Sequence, residues 1–97
     1  PTAIEIQIPI TRPGTIRNLR VNAQVAGTGA ATVTHTVRKN GADQTLTVGQ
    51  SNTAAGLVSD LVNTFTVVAG DLVSVSIVKS GVVAAGQTGV IGTVDLV

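Results

Sequence analysis

The sequence predicts an all-β chain of about seven to eight short antiparallel strands. Apolar and polar residues alternate with a period of two along most of the 97 residues, as in strands that bury one face. Turn residues separate these runs at intervals of about ten residues, which is typical of a sandwich, jelly roll or barrel. We find neither a linker nor a composition shift, so we expect one domain over residues 1–97.

The first predicted strand covers residues 3–10. It places four isoleucines on one face: Ile4, Ile6, Ile8 and Ile10. Pro9 has no N–H to donate to a ladder, so we expect residues 1–12 to form an edge strand or an arm. The chain then turns at residues 11–14. We interpret Ile4, Ile6 and Ile8 as candidate contacts with another subunit, because an extended arm can add to a neighbouring sheet.

The next strands are predicted at residues 15–26 and 31–39. The inward positions of the first are Leu19, Val21, Ala23 and Val25, and those of the second are Val33, His35 and Val37. Asn40 and Gly41 follow the second strand directly. Asn-Gly after an alternating run is a strong hairpin signal, and residues 45–48 are the predicted partner strand.

The second half of the chain contains the one ambiguous region. Apolar residues within 49–63 fit either a helical turn or a distorted strand. Strands are predicted at 64–68, 72–79 and 90–97, with a glycine- and alanine-rich loop at 80–89. Gly70 and Asp71 are predicted to form a tight turn before the strand at 72–79.

The composition restricts the classes of function. Charged residues make up 11% of the chain, against about 25% in an average domain. Either uncharged polar residues cover the surface or neighbouring subunits do, and we favour the subunits. A net charge of +1 and a single aromatic residue, Phe65, argue against nucleic-acid partners and sugar stacking. No apolar run approaches the ~18 residues of a membrane helix, so no membrane partner is expected.

The side chains suggest no catalytic, metal-binding or cofactor-binding site. His35 is the one histidine and lies within a predicted strand, the carboxylates are dispersed, and cysteine is absent. We therefore predict a protein that is not an enzyme and needs no cofactor. Arg12, Arg17 and Arg20 form the one concentration of charge. Two interpretations remain open for them, ordinary solvated charge or an ion-pairing patch for an acidic partner.

Several segments resemble small jelly-roll modules of tailed-bacteriophage virions, whose layout is similar to that of trimeric tumour-necrosis-factor and C1q-like heads. The segments are Gly14–Val21, Thr36–Gly41, Thr45–Val48 and Thr66–Val75. The resemblance implies an antiparallel jelly-roll-like sandwich that assembles as a homotrimer. In this interpretation Asn40, Gly41, Gly70 and Asp71 are structural turn residues.

The resemblance also implies a role in the virion. It suggests a capsid decoration (cement) protein that is made in the cytoplasm of the bacterial host, binds the major capsid protein and stabilises the assembled shell from its surface. Arg12, Arg17 and Arg20, with the N-terminal isoleucines, are the residues expected to contact the capsid or another subunit. The alternatives are a receptor-binding tip of a tail fibre, or another oligomeric module that binds carbohydrate or a cell surface.

Overall fold

The computed structural model describes residues 7–97, which form eight strands and no helix. The strands are β1 (Ile8–Pro9), β2 (Gly14–Val25), β3 (Ala31–Lys39), β4 (Ala42–Ser51), β5 (Gly56–Asp60), β6 (Phe65–Val67), β7 (Leu72–Gly81) and β8 (Thr88–Leu96). The predicted all-β class and strand number are confirmed.

The strands form two antiparallel sheets. Sheet I has the order β1-β7-β3-β4. In sheet II, β2 is central, with β8 along one edge and β5 and β6 end to end along the other. Every connection except β3–β4 and β5–β6 passes from one sheet to the other. This arrangement confirms the predicted antiparallel β-sandwich.

The core lies between the two sheets and contains side chains from both. The buried members of the main cluster are Ile16, Leu19, Val21, Val37, Leu46, Val48, Phe65, Val67 and Val73. Most occupy alternate positions of β2, β3 and β4, because successive side chains of a strand point to opposite faces. Val25, which was predicted to face inward, is 54% exposed at the end of β2, beyond the last buried residue of that strand.

A bulge in β2 changes the alternation at Asn18. The pairing of β2 with β8 shifts register between Arg17 and Arg20, and Asn18 has a φ of 57°. Asparagine accepts this left-handed conformation more readily than most residues. Because of the extra residue, Ile16 and Leu19 are both buried although they are three positions apart.

Two turns at one end of the sandwich are joined by side-chain hydrogen bonds. Asn40 and Gly41 connect β3 to β4 with φ values of 52° and 81°, which suit a two-residue hairpin turn. Asn40 Nδ2 donates to Asp71 Oδ1 at 3.0 Å, and Leu72 N donates to Asn40 Oδ1 at 2.9 Å. Gly70, with a φ of 96°, allows the chain to reverse direction before β7. The hairpin and the β6–β7 turn therefore support each other.

The ambiguous region between β4 and β6 is a strand flanked by turns. β5 places Val58 toward the core and Leu57 toward solvent. Asp60 ends the strand, because its Oδ1 accepts hydrogen bonds from the N–H groups of Val62 and Asn63, both at 3.1 Å. The helical alternative for this region is wrong, because its apolar residues lie in a strand and in the Asx-type turn that follows the strand. The loop predicted at 80–89 is shorter than expected, as β7 extends to Gly81 and β8 begins at Thr88.

Substitution at a buried position of β4 tests this packing. Leu46 is fully buried, so Leu46→Ala is expected to lower the free energy of unfolding by about 2–5 kcal/mol. Leu57→Ala is the matched control, because Leu57 is 62% exposed, and its effect is expected to stay within about 0.5 kcal/mol. Urea titrations of both variants provide the comparison, and equal effects would contradict the assignment of the core.

Candidate interaction surfaces

The N-terminal strand lies at the edge of sheet I. Ile8 pairs with Val73 of β7 and is 63% exposed, whereas Ile10 packs against the core. Pro9 is opposite Leu72 within β1, at the outer edge of the sheet. Ile4 and Ile6 lie outside the described residues, so their predicted contact role stays a prediction.

Two of the three candidate arginines share the outer face of sheet II. Arg17 lies opposite Asp95 of β8, and Arg20 lies between Ser59 of β5 and Thr93 of β8. The bulge at Asn18 places both arginines on this face although they are three residues apart. The sequence analysis did not predict this bulge, because a strict period of two contains no extra residue.

The third arginine and the asparagine of the bulge bind groups near the end of β8. Arg12 Nη2 donates to the carbonyl oxygen of Leu96 at 3.3 Å, and Asn18 Nδ2 donates to Asp95 Oδ2 at 2.8 Å. Arg12 is therefore directed to the end of β8, while Arg17 and Arg20 lie along β2. The structure does not show a compact triad of arginines.

Apolar side chains accompany the arginines on the outer face of sheet II. Leu57 and Ile91 are 62% and 69% exposed and lie on either side of Asn22, next to Arg20. Exposed aliphatic side chains therefore lie beside an arginine on this face.

A second apolar surface lies on the inner faces of β7 and β8. We call Val75, Ile77 and Val90 the open side of the sandwich. Val75 and Ile77 pair with inward-facing Val37 and His35, and Val90 pairs with buried Ala23, so all three point between the sheets. They are nevertheless 39%, 57% and 38% exposed. Val75 and Ile77 therefore face inward, but the opposite sheet does not cover them.

The opposite side of the sandwich is closed by hydrogen bonds. Thr47 N of β4 donates to Asp60 Oδ2 of β5 at 3.2 Å, which links the two sheets. Nearby, Gln87 Nε2 donates to Gln50 Oε1 at 3.0 Å and to the Ala54 carbonyl oxygen at 2.8 Å. These bonds hold β4 against sheet II. β7 and β8 lie on the other side of the sandwich and are not joined in this way.

Hydrogen bonding also sets the charge state of Asp60. The side-chain amide of Asn63 donates to Asp60 Oδ2 at 2.9 Å and is the largest cause of a pKa lowered to about 2. The backbone N–H groups of Asn63, Val62 and Thr47 act in the same direction. Asp60 is therefore ionised near neutral pH and accepts these hydrogen bonds as a carboxylate.

His35 lies on the inner face of β3, between Val48 and Ile77 of the neighbouring strands. It is 5% exposed, and burial lowers its pKa below the usual value. Its Nδ1 atom has no hydrogen-bond partner. The imidazole therefore fills core volume between two aliphatic neighbours.

Residues 7–97 were also searched for metal-binding groups, depressions and membrane-spanning helices. No group of three or more histidine, cysteine or acidic side chains in this part of the chain could hold a metal ion. A shallow depression near the start of β3 is lined by small and hydroxyl-bearing residues, among them Gly29, Thr32, Thr53 and Ser80. Over the same residues, no helix has the length and apolar character needed to span a membrane.

No known protein family matches the chain, and no curated protein or solved structure matches it either.

The hydrogen bonds that Asp60 accepts predict a pH-dependent contribution to the free energy of unfolding. A carboxyl group whose folded-state pKa is lowered stabilises the fold above its unfolded pKa of 3.8, and this contribution disappears as the pH falls through about 2. Asp60→Ala is therefore expected to destabilise the protein at pH 7, by no more than about 1 kcal/mol because solvent screens this exposed group. Urea titrations at pH 7 and pH 2 should show the difference between wild type and variant shrinking at pH 2, and a difference that is equal at both values would refute the assignment.

Proposed function

We propose that this chain is a non-enzymatic structural protein that binds other protein chains. The observation that carries the proposal is the open side, where Val75, Ile77 and Val90 point between the sheets but remain partly exposed to solvent. Inward-facing aliphatic side chains that the fold itself does not cover are typical of a surface that another chain covers. The low content of charged residues, 11%, supports the same conclusion.

The magnitudes favour assembly with many contacts over a single tight pair. Complete burial of one valine or isoleucine side chain contributes about 1.5–3 kcal/mol, and these three are only partly exposed. Their combined contribution is a few kcal/mol, whereas association costs about 4–15 kcal/mol. Subunits that contact several neighbours at once overcome this cost, because later contacts form at high effective concentration.

The setting that we propose is the surface of a bacteriophage capsid. The resemblance to phage jelly-roll modules suggests a homotrimeric decoration protein that binds the major capsid protein. In this proposal the open side contacts other copies of the chain, and the outer face of sheet II contacts the shell through Arg17 and Arg20. Binding to the assembled shell and not to dissociated subunits stabilises the shell by mass action.

A second candidate is a tail-fibre tip or another module that binds carbohydrate. The hydroxyl-lined depression that includes Thr32, Thr53 and Ser80 favours it, since hydroxyl groups can bond to sugar hydroxyls. Against it, the chain has one aromatic residue, Phe65, which is only 9% exposed and so offers little surface for stacking on a sugar ring.

Localisation on virus particles tests the capsid proposal. Immunogold electron microscopy with antibody against this chain should label the heads of particles from the same source. Label confined to the tail tip would replace the decoration role with the fibre-tip role. Particles without any label would refute the virion assignment.

Charge reversal tests the proposed shell-binding face. Arg17→Glu and Arg20→Glu, separately and together, are expected to weaken binding to shells by at least about tenfold, since like-charge contacts cost several kcal/mol. Lys39→Glu is the control with the same charge change, because Lys39 lies on sheet I, where its Nζ donates to the Thr66 carbonyl oxygen. Co-sedimentation with shells measures the binding, and unchanged binding by the double variant would exclude this face.

A further inference from the structure

Asn40 is the one asparagine of the chain that precedes a glycine. The backbone nitrogen of a following residue can attack the side-chain carbonyl carbon of an asparagine, and the attack is easiest when that residue has no side chain. Glycine also gives the backbone the widest conformational freedom. The other four asparagines precede Leu19, Ala23, Thr53 and Thr64. Asn40 is therefore the asparagine whose amide is most open to this reaction.

The turn that contains Asn40 is exposed to water. Both Asn40 and Gly41 are exposed, and a Cβ added at Gly41 would have no atom within 4 Å. An exposed two-residue turn opens locally more easily than the core strands beside it. Water, which the reaction consumes, therefore reaches the Asn40 amide and the Gly41 nitrogen.

Two hydrogen bonds hold the Asn40 amide in the folded turn. Its Nδ2 donates to Asp71 Oδ1 at 3.0 Å, and its Oδ1 accepts from Leu72 N at 2.9 Å. Asp71 is itself held, because its Oδ2 accepts from Val68 N at 2.9 Å. The reaction removes Nδ2 from the side chain, so the bond to Asp71 stabilises the unreacted amide and slows its loss.

We propose that Asn40 is a site of spontaneous deamidation, and that its product, a carboxylate opposite Asp71, separates the β3–β4 hairpin from the β6–β7 turn. In the first step the Gly41 nitrogen loses its proton to water and bonds to Asn40 Cγ. The Cγ–Nδ2 bond breaks, and Nδ2 leaves as ammonia after taking a proton from water. The side chain and the backbone are then joined in a cyclic imide.

Hydrolysis of the imide gives two products. Water adds to one of the two ring carbonyl carbons, and the C–N bond at that carbon breaks. Opening at Cγ gives an aspartate with the original backbone, whereas opening at the backbone carbonyl gives an isoaspartate, whose chain continues through the β-carbon. Each product carries a carboxylate near neutral pH. Over both steps one water is consumed and one ammonia is released, with no oxidant, reductant or enzyme.

Either product weakens the contact between the two turns. With aspartate, a carboxylate takes the place of the Nδ2 donor opposite Asp71. The Val68 N–H and the Asn40 amide hold the pKa of Asp71 below its usual value, so Asp71 is negatively charged near neutral pH. Two carboxylates then face each other where one hydrogen bond existed. Isoaspartate adds one backbone atom to the turn and disturbs the Lys39–Ala42 pair that closes it.

Asn63 provides a matched control within the same chain. It is exposed, and its Nδ2 donates to Asp60 Oδ2 at 2.9 Å, just as that of Asn40 donates to Asp71. It differs in that Thr64 follows it. After incubation of the full chain at mildly alkaline pH, peptide mass mapping should show the replacement of NH2 by OH at Asn40 well before Asn63. An isoaspartate-specific methyltransferase should label the same Asn40 peptide.

The bond to Asp71 also predicts a change in rate. Asp71→Ala removes the acceptor of Asn40 Nδ2, so deamidation is expected to become about two- to fivefold faster, the factor for one weak, exposed hydrogen bond. Asp43→Ala is the control, because Asp43 lies in the same hairpin but pairs with Arg38 Nε at 2.9 Å. This control should leave the rate nearly unchanged.

Asn40→Asp reproduces the aspartate product and tests its effect on the fold. This variant is expected to lower the urea midpoint of unfolding near neutral pH. Adding Asp71→Asn exchanges the positions of the amide and the carboxylate, so the double variant should regain most of the loss. A double-mutant cycle that includes Asp71→Asn alone isolates the interaction between the two side chains.

The outcomes are distinct. Early reaction at Asn40, a faster reaction in Asp71→Ala and rescue by the double variant support the proposal. Equal reaction at Asn40 and Asn63, or none at Asn40, would overturn the assignment of the site. An unchanged urea midpoint in Asn40→Asp, or no rescue by the double variant, would overturn the separation of the turns. None of these outcomes depends on shell binding or oligomeric state, so the assembly proposal can fail separately.

Discussion

The packing of β2 against β3 and β4 is the interaction on which the rest of the structure depends. Ile16, Leu19 and Val21 of β2 contribute one side of the core, and Val37 and Leu46 contribute the other. These side chains are almost fully buried, while most of those in β7 after Ser74 and in β8 before Val94 are exposed. A chain of 97 residues without disulfides has limited apolar surface to bury. Its well-buried core therefore lies between only one half of each sheet.

The position of this core explains where the molecule is closed and where it is open. Hydrogen bonds that Asp60 accepts and that Gln50 and Gln87 donate join the sheets along the β4–β5 side. Among residues 7–97, no comparable set of hydrogen bonds joins β7 to β8. Inward-facing side chains on that side are therefore available to another chain, which is the physical basis of the proposed assembly function.

Much of the fold was predictable because the relevant signals are local. The alternation in β3 correctly gave the inward direction of Val33, His35 and Val37, and the Asn40-Gly41 hairpin joins β3 to β4 as predicted. The extent of burial was less predictable. Val75 and Ile77 have the same alternation as the core residues of β3, but their exposure depends on the distance to the other sheet, which no local pattern encodes.

The candidate sites were harder to predict for a similar reason. A bulge at Asn18 controls which way Arg17 and Arg20 point, and a strict period of two does not include the extra residue. The bonds of Asp60 to β4 connect residues 13 positions apart on different sheets. Contacts of this kind follow from the way the sheets pack and not from the composition of either strand.

The oligomeric state in solution tests the central claim most directly, since the open side is proposed to be covered by another copy of the chain. Sedimentation equilibrium of the purified protein should give a mass that is a multiple of the 9.7 kDa chain, and three times that mass for the proposed trimer. A single species of 9.7 kDa at concentrations up to about 100 µM, equivalent to an association free energy weaker than about −5.5 kcal/mol, would contradict the claim.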